Sequence, residues 1–269
     1  MLPMRFAIAL RLAFLFVFGS LGFLAAEKTG DALPKKAELP SPVIPNAPVE
    51  NSVAALTNTQ FRVIAPGEFE LGKIRLSKGN RTVSFPASLN RAEGPMEYFL
   101  VSNYGKTHES ILRTDVKPYD IHVAMLLLGA VGSRTNRLDG NSTEELRSQI
   151  SNPSKEPLSG DRVTIQVTWT EKGNEVKRSA RELIYNEETR ASPEDVNWTY
   201  NGSLIVRGKF LAQIEGSIVS LVTDPIALVN NTGSGHDNDH IWSANTNNLP
   251  PSERALQVTI KLEGVTEKK

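Results

Sequence analysis

The chain contains no cysteine. That absence excludes disulfides, thiolate zinc sites, iron–sulfur ligation, cysteine nucleophiles and a lipid-modified N-terminal cysteine. An excess of one charge is also missing, with 30 Lys and Arg set against 30 Asp and Glu. The chain therefore carries no electrostatic footprint for nucleic acid or an anionic membrane. There is no Gly-x-Ser-x-Gly elbow, no glycine-rich phosphate loop ending in Lys-Ser or Lys-Thr, and no dinucleotide fingerprint. No repeat argues for a solenoid or propeller.

Long apolar runs are confined to the start. Arg5 and Arg11 precede a charge-free stretch from Leu12 to Ala25, followed by Ala26 and Glu27. A basic n-region, an apolar run shorter than the roughly 20 residues a spanning helix needs, and small residues at the end are the pattern of a cleaved signal peptide. The expected leader is residues 1–26, and the expected location of the mature chain is the periplasm or the medium. No later stretch is long and apolar enough to span a membrane, so no transmembrane segment is expected after cleavage.

Residues 27–58 are rich in Lys, Ala, Glu and Pro, with Pro34, Pro40, Pro42, Pro45 and Pro48 set too densely for helix or central strand. They read as a disordered, extended linker. Residues 59–265 form the expected single folded domain, large enough to bury a core without disulfides.

Most of that domain alternates apolar and polar residues with period two. Phe61–Ile64, Phe69–Leu76, Thr82–Phe85, Tyr98–Val101, Ser110–Leu112, Val163–Trp169, Leu211–Leu221 and Leu256–Leu262 read as strands. A turn is expected over Ser77–Arg81, where Gly79 and Asn80 are able to take positive φ, and Gly202, Gly208 and Gly216 are turn or bulge candidates. The expected helix takes Pro118 in its first turn and runs to about residue 129. Its apolar residues circle the cylinder, which predicts central burial of its C-terminal half. A polar stretch from Ser133 to Gly160 reads as an insertion, with a short helix over Thr143–Gln149. The fold class expected is α+β, a mainly antiparallel, sandwich-like sheet with one buried helix at about 118–129.

Two clusters carry candidate chemistry. His108 and Glu109 follow a turn, and His122 lies on the helix; imidazole and carboxylate together suit zinc or a similar divalent ion. A packing role is the alternative, with His122 a core histidine and Glu109 paired to Lys106 or Arg113. The loop Gly233–His240 offers Asp237 and Asp239 as hard oxygen ligands, or else is a solvated turn. The cofactor expectation is thus an unidentified divalent metal at most, with no iron–sulfur cluster.

The runs Leu71-Gly72-Lys73-Ile74-Arg75-Leu76, Val83-Ser84-Phe85-Pro86-Ala87 and Gly105-Lys106-Thr107-His108-Glu109-Ser110-Ile111-Leu112 resemble the bacterial YdjY domain family. The resemblance continues through Pro118–Ala130 and, more loosely, through Gly216-Ser217-Ile218, Thr223-Asp224-Pro225 and Asn238-Asp239. It implies no established activity. Some members are labelled ferredoxin-like from accompanying cysteine clusters, a feature this chain lacks altogether. His108, Glu109 and His122 fall in the block that resembles the family signature, and a signature can equally record packing.

The function expected is an exported binding or interaction module of the cell envelope, with a protein or small molecule as partner. The alternative is a metal-dependent extracytoplasmic hydrolase using His108, Glu109 and His122.

Overall fold

A computed structural model of the chain describes residues 61–133, 157–252 and 254–264, all within one compact unit, Glu50–Lys269. The leader, the linker and the helix expected over Thr143–Gln149 lie outside the described residues.

The first strands form a meander. β1 (Phe61–Ala65) pairs with β2 (Glu68–Leu71), which pairs with β3 (Ile74–Ser77) and then β4 (Thr82–Leu89), each antiparallel to the last. The alternation over Phe69–Leu76 reads as one strand, yet Gly72, with φ of 58°, folds it into the β2–β3 hairpin. Period two is blind to such a reversal because the residues flanking the turn keep their faces. In the next turn the positive φ falls on Arg81 (56°) rather than on Gly79 or Asn80.

β5 (Tyr98–Ser102) is followed by a crossover and β6 (Ser110–Thr114), and these two strands run parallel. Helix α1 (Pro118–Leu127) comes next, with Pro118 at its first turn where a missing N–H leaves nothing unsatisfied. β7 (Asp161–Glu171) and β8 (Asn174–Ser179) form a hairpin around Lys172-Gly173. β9 (Ile184–Asn186), β10 (Trp198–Tyr200), β11 (Ile205–Val206) and β12 (Lys209–Phe210) are short. The stretch Leu211–Leu221, expected as strand with Gly216 a turn or bulge candidate, divides at Gly216 (φ 73°) into a helical turn, α2 (Leu211–Glu215), and β13 (Ser217–Ser220). β14 (Val229–Asn231), β15 (Trp242–Ala244) and β16 (Leu256–Leu262) complete the order.

Eight of these strands close on themselves in the sequence β4-β16-β7-β10-β14-β13-β5-β6, and β6 returns to β4 through Ser88–Arg113 and Leu89–Leu112. The fold is therefore a closed barrel, not the sandwich-like sheet expected, with β1–β3 and β8 as extra strands. Two strands of the ring, β10 and β14, are three residues long. Such a strand shows no readable alternation, so closure depends on pairings, such as Trp198 with Asn231, that only the folded chain reveals.

Phe85, Val258, Ile260, Ile165, Val167, Phe99 and Ile218 belong to one continuous buried cluster. Outward positions of β7 and β16 remain polar, as period two requires. The helix departs from expectation in its burial. Pro118, Ile121, Ala124 and Met125, spaced at three and four, face the core, whereas Leu126 and Leu127 are 47% and 41% exposed. α1 thus lies on the barrel by one stripe, against β3 and β4, and its C-terminal half is not centrally buried.

Candidate functional site

Of the residues singled out from sequence, Glu109 and Asp239 both act electrostatically on Glu97, while His122 lies in a setting of its own beside Tyr200. His108 lies in a single turn of 3₁₀ helix between β5 and β6, largely exposed, with Nε2 3.6 Å from Glu109 Oε2. His122 is half-buried on α1, where its Nδ1 shares a 2.7 Å hydrogen bond with the Tyr200 hydroxyl and its ring packs 4.7 Å from Phe210. Burial in this aromatic niche pushes the imidazole down to about 4. Asp237 and Asp239 are exposed in the loop before β15, and Asp239 Oδ1 lies 3.3 Å from His240 Nε2. Among the described residues no group of three or more His, Asp or Glu side chains is placed to hold a metal ion.

The chain instead gathers a different set, drawn largely from the segments that carry the family resemblance. Lys106 Nζ donates to the Tyr98 hydroxyl at 2.8 Å, and that hydroxyl donates to Asp224 Oδ2 at 2.7 Å. The ammonium also lies 4.9 Å from the centroid of the Tyr98 ring. Burial and the Asp224 carboxylate hold the Tyr98 phenol far above the ordinary tyrosine range, so it remains a neutral hydrogen-bonding link. Glu97, beside it, is raised by burial and then by Glu109, with opposition from Lys106 and smaller contributions from Asp239 and Asp224.

Backbone contacts hold this arrangement. The Glu97 N–H donates to the Glu109 carbonyl at 3.0 Å, and Ser102 N–H donates to the Gly216 carbonyl at 2.8 Å. Gly105 and Gly216 approach so closely that a Cβ built on Gly216 would stand 2.7 Å from the Gly105 Cα. Asp224 is positioned by Asn230, whose side chain accepts from the Asp224 N–H at 2.7 Å and donates to its carbonyl at 2.9 Å. Asn230 in turn donates to Asn201 Oδ1 at 2.9 Å. Sequence reading gave Lys106 only as an alternative partner of Glu109 and quoted Asp224 only within a matching segment; Tyr98 was read only as part of a strand.

Two cavities lie outside this cluster, on the outer face of the barrel. One of about 550 Å³ borders Arg162, Arg181, Asn197 and Glu263. The other, of about 580 Å³, borders Thr168, Gln257, Thr259, Lys177 and Lys261. Both include Thr164 and Gln166 of β7, so they meet across that strand as one trough, with Val196 and Trp198 also lining its first half. None of its residues was singled out from sequence, because outward-facing Thr and Gln on an amphipathic strand look like ordinary solvated positions.

The molecule is thus a closed β-barrel with a packed interior and polar features on its outside. The YdjY domain family model matches residues 74–261, more than half the chain, and the chain belongs to that family. No curated protein and no solved structure matches it. Among the described residues no helix is long and apolar enough to cross a membrane.

Proposed function

We propose that the chain is an exported, non-enzymatic binding module of the cell envelope, whose ligand lies in the trough on the outside of the barrel. The observation that carries this reading is the pair of cavities joined at Thr164 and Gln166. Among the described residues the barrel's inner positions are filled by buried apolar side chains, which leaves its outer surface as the place for recognition. The basic, apolar and small-residue pattern of residues 1–26 supports export.

Catalysis has less support from the same geometry. His122 is engaged with Tyr200, His108 is solvated, and the Tyr98 phenol is held protonated by its surroundings. The test is calorimetric titration of the chain with a panel of soluble neutral and acidic polysaccharides, beside a Thr164→Trp variant that fills the middle of the trough. Binding present in the parent and lost in the variant supports the reading. Binding indifferent to the filled trough, or turnover of a panel member abolished by His108→Ala, overturns it.

A further inference from the structure

The outward side chains of the trough stand in rows fixed by strand register. Lys177 of β8 lies opposite Thr168 of β7, which lies opposite Gln257 of β16. The next row runs Ser179, Gln166, Thr259 and Ser84, crossing β8, β7, β16 and β4. Beyond it Thr164 lies opposite Lys261, and Lys261 opposite Thr82. Same-face neighbours across strands stand about 5 Å apart, so hydroxyls and carboxamides form a continuous two-dimensional array. Ser84 and Thr259 are already joined at 2.8 Å.

Charge is unevenly placed around this array. Four cations border it, Arg162, Arg181, Lys177 and Lys261, against two acids, Glu175 and Glu263. The surplus stands out in a chain whose charges balance overall. The arginines sit where the β7 ladder divides: β10 pairs with residues 161–163 and β8 with residues 166–171, leaving Thr164 and Ile165 unpaired on that side. Arg162 Nη2 donates to Asn197 Oδ1 at 2.9 Å and Arg181 Nη1 to the Glu194 carbonyl at 3.2 Å. Among the described residues neither guanidinium is within ion-pair distance of a carboxylate, and each retains N–H groups in a fork geometry suited to an oxyanion.

We propose that the trough binds an acidic polysaccharide, its carboxylate or sulfate groups meeting Arg162 and Arg181 and its hydroxyls meeting the Gln166–Thr259 row. This rests on the binding-module reading and adds the ligand's chemistry. A neutral glycan would leave the charge surplus without a function, and a polyanion without hydroxyls would leave the array of Thr and Gln unmatched. Among the described residues the one aromatic ring bordering the trough, that of Trp198, is buried and offers no face on which bases could stack, which argues against single-stranded nucleic acid.

The experiment titrates the full chain with polygalacturonate, dextran sulfate, dextran, polyglutamate and a single-stranded oligonucleotide at two salt concentrations. The expected result is binding of polygalacturonate or dextran sulfate at least about tenfold tighter than of the other three, weakening as salt rises. Whichever of the two wins identifies carboxylate or sulfate as the recognised group. The double variant Arg162→Gln/Arg181→Gln should weaken binding about tenfold or more, and Gln166→Ala/Thr259→Ala several-fold, while Arg190→Gln, outside the trough, leaves it unchanged. These sites lie on the surface, and each variant's thermal transition checks that it folds. Polyglutamate or the oligonucleotide binding as tightly as the acidic polysaccharides, or full binding by the double arginine variant, overturns the proposal. Dextran binding that is lost on Gln166→Ala yet indifferent to both arginines overturns the charge inference and leaves the binding-module reading standing. No binding of any polysaccharide overturns the inference and removes the ligand class from the module reading.

Discussion

The Tyr98 hydroxyl donates to the Asp224 carboxylate across 2.7 Å, joining the start of β5 to the loop beyond β13, 126 residues away in sequence. Lys106 completes the link from the other side. A buried hydroxyl held by two charged groups contributes more than an ordinary hydrogen bond, because its loss leaves both partners facing each other without their bridge.

Tyr98→Phe is therefore expected to destabilise the fold by about 1–3 kcal/mol, measured by chemical denaturation. Lys106→Met should do less, since Tyr98 still reaches Asp224. The double variant should lose less than the sum of the two, because both substitutions break one network. Additive effects would show that the three groups are not coupled.

The same phenol links stability to alkaline pH. Its folded value lies above the unfolded value near 10, so the unfolded chain loses that proton first. Stability contributed by the neutral phenol is complete below about pH 10 and declines above it. Tyr200, raised by burial and by Asp161, acts in the same direction. Ultraviolet titration should show two tyrosines ionising only together with loss of the fold; ionisation of every tyrosine in the native state would contradict this.

His122 works in the opposite direction and over a different range. Burial lowers its folded value from 6.5 to about 4, so on acidification the unfolded chain takes up the proton first. The contribution is complete above pH 6.5, falls as pH drops toward 4, and amounts to about 3 kcal/mol at most. His122→Gln should flatten the pH dependence of the urea midpoint between those values. An unchanged slope would place the titrating group elsewhere.

Gly216→Ala is expected to destabilise by about 2–4 kcal/mol, a size reached only where backbone must move. Its φ is 73°, and an added methyl would stand 2.9 Å from the Gly105 nitrogen as well as against its Cα. Gly129→Ala is the control: its φ is also positive, at 91°, but no atom lies within 4 Å of the added methyl. The difference between their thermal transitions isolates the close approach from backbone strain.

Helix α1 offers a comparison between neighbouring positions. Ile121→Ala should lose about 2–5 kcal/mol because Ile121 is fully buried, whereas Leu127→Ala should stay within about 1 kcal/mol. Equal losses would mean that the helix is enclosed on all sides.

That helix also illustrates what sequence reading reached. The position of α1 followed from Pro118 and Gly129, and β16 was read with its full extent, Leu256–Leu262. Its degree of burial was not legible, because Leu126 and Leu127 are apolar whether or not a partner covers them. The hairpin at Gly72 was missed, and Gly216 was read as a turn or bulge in a strand rather than the end of a helical turn, because such glycines look alike in a linear pattern. At the candidate site, His108 and His122 stood out by residue type. The grouping of Lys106, Tyr98 and Asp224 did not, since it depends on β5 lying between β6 and β13.

The order of residues alone determined that the body is β-rich, that its stability owes nothing to sulfur chemistry, and that it belongs with the YdjY domains. These are properties of composition and local periodicity, which act over a few residues. Tertiary structure decided that the sheet closes into a barrel, that Lys106, Tyr98 and Asp224 join in one network, and that polar side chains from β7, β8, β16 and β4 share one trough. Those outcomes turn on hydrogen-bond register between strands far apart in the chain, a quantity that no local pattern encodes.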